Sequence, residues 1–282
     1  MAIVNMSLVL PRARREHWAV GAFNIVDYAS MKAVVEVAQE LRSPVIVQTS
    51  VKTVQFWGYR ALVSWYRELA STALAPVVLH LDHCKDLEVI RRCVEAGWTS
   101  VMIDASSRPF DENVRLTREV VSIAAPRSVS VEAELGQIGG VEEDITGEAY
   151  LADVGKAVEF CRAVPVDLFA PAIGTAHGIY KGEPRIAFDR LERIAREAGV
   201  PIALHGGTGL SDEVFRRCIS LGCAKINIST MLKHTYIDSF LAHRQSNPDD
   251  YEPLKYLGAQ LESLRKDVGP LLELFGSTGK TA

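Results

Sequence analysis

Eight short apolar runs recur along this chain, and segments of helical length separate them. Each run is almost entirely apolar, as expected for strands of a parallel sheet that is covered on both faces. The predicted strands span 19–24, 45–48, 77–81, 100–103, 129–134, 168–171, 202–205 and 225–228. Eight such units in a chain of 282 residues predict an α/β fold, the (β/α)8 TIM barrel. A doubly wound sheet is the alternative, because a count of units does not prove that the sheet closes.

Helices are predicted between these strands, over 31–41, 87–95, 112–124, 188–198 and 213–221. Several carry start and stop signals. Asp86 or Asp111 stands before a first turn, and Gly97, Gly199 or Gly222 follows a last turn. These signals support the alternation of strands and helices.

No low-complexity linker divides the chain, so residues 1–282 are predicted to form one barrel domain. A C-terminal helical extension is expected over about 230–282, with breaks near Pro248 and Pro253. The least regular stretches, 136–150 and 173–186, follow the fifth and sixth strands. In a barrel these loops lie over the C-terminal mouth, where catalytic loops are found.

Charge and cysteine content exclude several classes of partner. The 31 basic and 35 acidic residues are interspersed, with a formal net charge of −4, so no nucleic-acid face is predicted. No apolar run approaches the roughly 20 residues of a membrane helix, so no membrane partner is expected. The N-terminus places apolar residues before charges, the reverse of a secretory signal, and the five cysteines form no CxxC pair. We therefore expect a cytoplasmic protein with reduced thiols.

Three of the seven histidines, His83, His177 and His205, fall at the ends of predicted strands. Three imidazoles with an open coordination position make a catalytic zinc site, and Glu134 is a candidate carboxylate ligand. The alternative is that each histidine only bonds a backbone carbonyl. Asp104 follows the fourth strand and could serve the site or cap a turn.

Glycine and hydroxyl residues follow the last two predicted strands. Gly206, Gly207 and Thr208 come after the seventh, and 227–230 ends the eighth. Barrels commonly bind phosphate at this position, where backbone N–H groups and hydroxyls hold an anion. A tight turn explains the glycine pair equally well.

Six ordered motifs carry a resemblance to a known family. They read HLDH, WTSVMID, VEAELGQIGGVEED, IGTAHGIYKGEP, LHGGTG and KINIST, within a match that runs from Gly21 to Thr230. The chain resembles the class II, zinc-dependent ketose-bisphosphate aldolases, in the branch of tagatose-bisphosphate and shorter fructose-bisphosphate aldolases. The resemblance implies cleavage of a ketose 1-phosphate or bisphosphate into dihydroxyacetone phosphate and an aldehyde, in a homodimer or homotetramer.

The resemblance also implies roles for single residues. His83, His177 and His205 would bind zinc, with the Asp82 carboxylate as acid and base at the aldehyde-derived hydroxyl. Glu142 would exchange the enolisable proton.

Further positions follow from the same resemblance. Glu134 and Asp104 would approach the metal when it shifts, and a monovalent cation is expected near the phosphate. Substrate contacts are implied at Asn24, Ser50, Gly178, Lys181, Gly206, Gly207, Thr208, Asn227, Ile228, Ser229 and Thr230.

One departure concerns the distal end of the substrate. The family commonly has Asp-Pro-Arg where this chain reads Glu-Pro-Leu over 252–254, so Leu254 stands in place of a phosphate-binding arginine. Lys255, Arg108 or Lys52 could supply the missing charge. The distal group is therefore left open: a phosphate, another anion such as sulfonate or carboxylate, or a neutral group.

Other functions stay open beside this one. They are a fructose- or tagatose-1,6-bisphosphate aldolase proper, a metal-dependent isomerase or hydrolase on the same fold, and a non-catalytic aldolase-like subunit. The presence of the complete ligand set argues against the last.

Overall fold

A closed barrel of eight parallel strands forms the centre of the fold in a computed structural model that describes residues 2–142, 145–147, 150–180 and 182–281. The strands are β1 Val20–Asn24, β2 Val45–Thr49, β3 Val77–Cys84, β4 Ser100–Ile103, β5 Ser130–Leu135, β6 Gly139–Glu142, β7 Ile145–Gly147, β8 Leu168–Pro171, β9 Ala176–His177, β10 Ile202–Leu204 and β11 Cys223–Ile228. The barrel order is β1-β11-β10-β8-β5-β4-β3-β2. Because β1 pairs with both β2 and β11, the predicted TIM barrel is confirmed and the doubly wound sheet is excluded.

Helices cover the outside of the barrel. They are α1 Leu10–Arg15, α2 Tyr28–Glu40, α3 Val51–Trp57, α4 Tyr59–Ser71, α5 Leu87–Ala96, α6 Phe110–Ala124, α7 Val154–Ala163, α8 Phe188–Ala198, α9 Asp212–Ser220, α10 Thr230–Ser246 and α11 Pro253–Leu274. Short 3-10 turns occupy Met6–Leu8 and Ala125–Arg127.

The helix caps agree with the sequence signals at some ends and correct them at others. Asp86 caps α5 as predicted, accepting from the backbone N–H of Glu88 at 2.8 Å. The Asp111 prediction was wrong, since Asp111 lies inside the first turn of α6, after Pro109 at the N-cap. Helix α2 begins earlier than predicted because Asp27 and Ser30 form a capping box, with the Asp27 carboxylate 2.8 Å from the Ser30 N–H.

The segment after β5 was predicted to be irregular, but it contains a small sheet. Strands β6 and β7 pair antiparallel, and β6 also pairs with β9 in parallel. Gly140, at φ +102°, permits this contact, because a Cβ atom there would lie 2.1 Å from the carbonyl oxygen of His177. The loops after β5 and β8 are thereby joined above the mouth.

The barrel interior is apolar at its N-terminal end. We call this group of buried side chains the N-terminal cluster: Met6, Val9, Leu10, Ala13, Trp18, Val20, Ala22, Ile46, Val78, Leu168, Ala170, Ala203 and Ala224. A second and larger apolar core lies between the barrel and its helices. Polar side chains therefore enter the interior mainly above the N-terminal cluster.

Two helices follow the last barrel strand, and the break predicted between them is present after Ser246. Helix α11 packs against α2 and α10. The Arg265 guanidinium joins α11 to α2, 2.7 Å from Glu40 and 3.3 Å from Glu36. Among the described helices, none combines the length and apolarity needed to cross a membrane.

Candidate active site

An irregularity at the end of β3 directs two consecutive side chains to the mouth of the barrel. The pairing of β3 with β4 shifts register between Leu81 and Cys84, and His83 has φ +44°. Successive side chains of a regular strand point to opposite faces. The left-handed residue breaks this alternation, so both Asp82 and His83 reach the site.

The three predicted histidines lie together at the mouth. His83 lies near the end of β3, His177 lies in β9, and His205 follows β10. Their candidate ligand atoms all lie within 4.8 Å of one another. His205 Nδ1 is 2.8 Å from His83 Nε2, and the His83 and His177 ring centroids are 4.9 Å apart. The three histidines that the sequence analysis grouped are therefore close together in the structure.

Two carboxylates adjoin His83 on the side away from His205. Asp104 Oδ2 lies 3.1 Å from His83 Nδ1, and Glu134 Oε2 lies 3.7 Å from the same nitrogen. His83, Asp104 and Glu134 form a second group whose ligand atoms lie within 4.8 Å. The Ser106 hydroxyl donates to Asp104 Oδ1 at 2.7 Å, so Asp104 is held from both sides.

Burial and neighbouring charges shift the pKa values of these groups. Burial, with the Asp104 charge added, raises the pKa of Glu134 to about 8. Burial acts to lower the pKa of His83, but Asp82, Asp104 and Glu134 together outweigh it and raise that pKa. Burial lowers the pKa of His205 to about 4, so its imidazole is neutral near pH 7. Such divergent shifts in one cluster are typical of functional sites.

Asp82 is buried and is held by two amides. It accepts from Asn24 Nδ2 at 3.0 Å and from Asn227 Nδ2 at 3.4 Å. Gln48 Nε2 in turn donates to Asn24 Oδ1 at 2.9 Å. Burial opposes ionisation of Asp82, but the neighbouring His83 and Lys225 lower its pKa overall. Asp82 is therefore an oriented carboxylate beside the histidines.

A polar pocket with the features of an anion site, named here the anion pocket, lies between the loops that follow β8, β10 and β11. Its lining is Asn24, Asp82, His177, Gly178, Gly206, Gly207, Thr208, Asn227, Ser229 and Thr230. Helix α10 begins at Thr230, so the positive end of its dipole faces this pocket. The backbone carbonyls of Ala176 and Asn227 lie 2.5 Å and 2.7 Å from where Cβ atoms at Gly206 and Gly207 would be, so only glycine fits there.

Other predicted residues lie elsewhere. The Ser50 hydroxyl caps α3, accepting from the Thr53 N–H at 3.2 Å, and Ile228 is buried beside Gly207. Glu142 ends β6, but its side chain lies outside the part of the chain that the structure describes, as does all of Lys181.

The three distal candidates are on exposed surface. Lys52 lies in α3 after β2, and Arg108 follows β4 with its Nε 4.0 Å from Glu112. Lys255 Nζ lies 3.4 Å from Asp250, and Leu254 is 73% exposed. None of these residues is among those that line the anion pocket.

Sequence reasoning did not select Lys225, which lies fully buried inside the barrel. Its Nζ donates to Glu132 Oε2 at 2.8 Å, and Glu132 Oε1 lies 2.7 Å from His205 Nε2. The His80 imidazole is also fully buried, with its Nε2 3.4 Å from Glu132 Oε2. The sequence feature that could have selected Lys225 is its position in an apolar strand, since charged residues are almost never fully buried without a partner.

Histidines and carboxylates that converge at the C-terminal mouth of a closed barrel are typical of the active site of a TIM-barrel enzyme. The fold alone does not define the reaction. The profile of fructose-bisphosphate aldolase class-II matches residues 4–280, and the chain belongs to this family of carbon–carbon lyases. The resemblance seen in the sequence motifs is confirmed.

Three relatives indicate the range of activities in the family. The chain is 40% identical over 284 residues to a 6-phospho-5-dehydro-2-deoxy-D-gluconate aldolase of Bacillus licheniformis, covering 99% of this chain and 97% of the relative. It is 40% identical over 286 residues to a fructose-bisphosphate aldolase of Geobacillus stearothermophilus, covering 100% of both. It is 39% identical to the D-tagatose-1,6-bisphosphate aldolase subunit GatY of Klebsiella oxytoca, covering 99% of this chain and 100% of the relative.

A solved structure agrees with the fold. The YdjI aldolase from Escherichia coli K12 superposes with a TM-score of 0.88 at 31% identity, covering 99% of this chain and 100% of that structure.

Proposed function

We propose that this aldolase is zinc-dependent and cleaves a ketose 1-phosphate into dihydroxyacetone phosphate and an aldehyde. The observation that carries the proposal is the convergence of three imidazoles beside Asp82 and the anion pocket. The class of the family supports the aldol chemistry.

The donor set fits zinc. His205 has Nε2 bonded to Glu132 and His83 has Nδ1 bonded to Asp104, so the remaining nitrogens of both rings face each other. Metal-binding histidines typically have their second nitrogen held by a carboxylate in this way. We therefore assign zinc to His83, His177 and His205, with Glu134 and Asp104 as alternative ligands on the second group. Zinc bound there would act as a Lewis acid toward the negative charge that develops on the ketone oxygen.

The chain supplies the proton transfers. Asp82 accepts the proton of the C4 hydroxyl as the C3–C4 bond breaks, C4 becomes the aldehyde carbonyl, and the bond's electron pair stays with the ketone fragment. Asn24 and Asn227 hold the Asp82 carboxylate in place through their amides. Glu142, in the β6–β7 hairpin, then gives a proton to C3.

The anion pocket is assigned to the phosphate of the dihydroxyacetone phosphate half. Gly178, Gly206, Gly207 and Thr208 contribute to it, and 227–230 completes it. A monovalent cation near this phosphate is part of the proposal. Ser50, Ile228 and Lys181 are retained as substrate-side positions only on the strength of the family resemblance.

The distal group is proposed to be a carboxylate or a sulfonate. Leu254 offers no charge, and Lys255 is already paired with Asp250. The Bacillus licheniformis relative is named for a gluconate, which carries a carboxylate. Lys52, in the first turn of α3, and Arg108, which follows β4, are the proposed partners of this anion.

A substrate panel tests the assignment. Release of dihydroxyacetone phosphate should stop with a chelator, and the specificity constant for fructose 1,6-bisphosphate should be below that for a carboxylated or sulfonated ketose phosphate. Leu254→Arg should raise the bisphosphate value by roughly 10- to 100-fold through a charge-assisted pair. Leu74→Arg, at a similarly exposed leucine just before β3, is the matched control. Wild-type preference for the bisphosphate, unchanged by Leu254→Arg, would assign this chain to the fructose- or tagatose-bisphosphate aldolases proper.

The assembly is proposed to be a homodimer or homotetramer in the cytoplasm. Ile237 and Leu241 lie one turn apart on α10 and are both more than half exposed, and they are the proposed contact between subunits. All five cysteines are free thiols, which suits a reducing compartment. Light scattering on the purified protein tests the oligomeric state, and a monomer at micromolar concentration would contradict it.

A further inference from the structure

A charged pair lies deep in the barrel, between the N-terminal cluster and the mouth. Lys225 and Glu132 are both 0% exposed, and their Nζ and Oε2 atoms are 2.8 Å apart. Replacing a buried ion pair with apolar side chains of similar size is often neutral or stabilising. Stability alone therefore does not explain this pair.

The two oxygens of Glu132 serve different partners. An ammonium has donors only, so Oε2 must accept from Lys225 Nζ. The other oxygen, Oε1, lies 2.7 Å from His205 Nε2. With Lys225 on Oε2, the carboxylate presents Oε1 as an acceptor, and Nε2 of His205 is the donor.

This bond determines which nitrogen of His205 faces the mouth. When Nε2 carries the proton, Nδ1 has its lone pair free to accept. Nδ1 lies 2.8 Å from His83 Nε2, on the side of the three-histidine cluster. The chain of contacts thus runs from Lys225 through Glu132 to the ligand nitrogen of His205.

We infer that Glu132, anchored by Lys225, is a positioning residue that holds His205 in the Nε2–H tautomer with Nδ1 directed to the metal. The inference rests on the proposed function, because it concerns the same three-histidine cluster. It adds two residues, Glu132 and Lys225, and neither of them lines the anion pocket.

Two double variants test it without leaving a buried charge unpaired. Glu132→Leu with Lys225→Met removes the acceptor, whereas Glu132→Gln with Lys225→Met keeps an amide oxygen that accepts from Nε2–H. Lys156→Met with Glu159→Leu removes an exposed pair of the same kind, 2.8 Å apart on α7, and is the control.

The readout is the zinc dissociation constant, measured by competition with a chromophoric chelator. Loss of the carboxylate that orients a ligand histidine typically weakens metal binding by about 10- to 100-fold. We expect that loss in the Leu/Met variant, and near wild-type affinity in the Gln/Met variant and in the control. Equal affinity of the Leu/Met and Gln/Met variants would overturn the inference.

Nitrogen-15 chemical shifts of the His205 ring in metal-free wild type provide a test that needs no variant to fold. A protonated Nε2 and an unprotonated Nδ1 support the inference, and the opposite tautomer overturns it. Absence of both zinc binding and cleavage in wild type would instead contradict the proposed function, while the tautomer would still decide this inference.

Discussion

The N-terminal end of the barrel interior is closed by apolar side chains such as Leu10 and Leu168, whereas the C-terminal end holds imidazoles, carboxylates and amides. The same strands supply both ends. Along β3 the interior face passes from Val78 through His80 to Asp82 within four residues. One end thus contributes burial of apolar surface, and the other contributes chemistry.

The difference between the two ends shows how a barrel accommodates buried polar groups. Buried polar groups are tolerated only where partners satisfy them. At the mouth the partners are other site residues, as in the contacts of Asp82 with Asn24 and of His83 with Asp104. We therefore expect changes at the mouth to affect activity first and changes in the N-terminal cluster to affect stability first.

The largest effect is expected from His205→Ala. Removing one of the three proposed metal ligands should abolish detectable cleavage, because Lewis-acid stabilisation by a metal contributes several kcal/mol to catalysis. Steady-state kinetics and circular dichroism together check this prediction. Cleavage at the wild-type rate, with the fold intact, would remove His205 from the site.

Asp82→Asn should retain bound zinc and lose cleavage by about 100- to 10,000-fold, the usual contribution of a general base. The amide keeps the shape of the carboxylate but cannot accept the hydroxyl proton. Metal content, measured by mass spectrometry, should therefore stay at the wild-type level while the rate of dihydroxyacetone phosphate release falls. Parallel loss of metal and activity would indicate a ligand role for Asp82 instead.

Leu10→Ala tests the apolar end. Leu10 is fully buried in the N-terminal cluster, and a cavity there should lower the free energy of unfolding by about 2–5 kcal/mol. Urea unfolding measures the loss. The turnover number of the folded variant should match that of wild type. A large drop in turnover would contradict the assignment of stability to one end and activity to the other.

Glu134→Gln should show a pH-dependent effect that Leu10→Ala lacks. The pKa of Glu134 is raised from an ordinary 4.5 to about 8 by burial, so the folded metal-free protein binds a proton that the unfolded chain has released. Its contribution to stability is therefore lost as pH rises from about 4.5 to 8. In chelator, the variant should gain stability relative to wild type across this range. Parallel pH profiles for the two proteins would contradict the raised pKa.

The sequence predicts much of this architecture because its signals are local. Strand runs and polar residues at strand ends are visible one unit at a time, and parallel strands bring their ends to one mouth. His83, His177 and His205 could be grouped on that basis alone.

Features that depend on register were harder to predict. The kink at His83, which lets two consecutive residues reach the site, has no signature in HLDH itself. The contact of Lys225 with Glu132 joins strands 93 residues apart and depends on the stagger of the barrel. Lys255 seemed free to bind substrate, but its pairing with Asp250 is decided by the turn before α11.

Metal stoichiometry tests the central claim most directly, that the charged end of the barrel holds one catalytic zinc on three histidines. The measurement is zinc content with X-ray absorption at the zinc edge, on wild type and on His83→Ala, His177→Ala and His205→Ala. We expect one zinc per wild-type chain with nitrogen-rich coordination, and markedly less in each variant. Wild-type protein that binds no zinc yet cleaves its substrate at full rate would contradict the account.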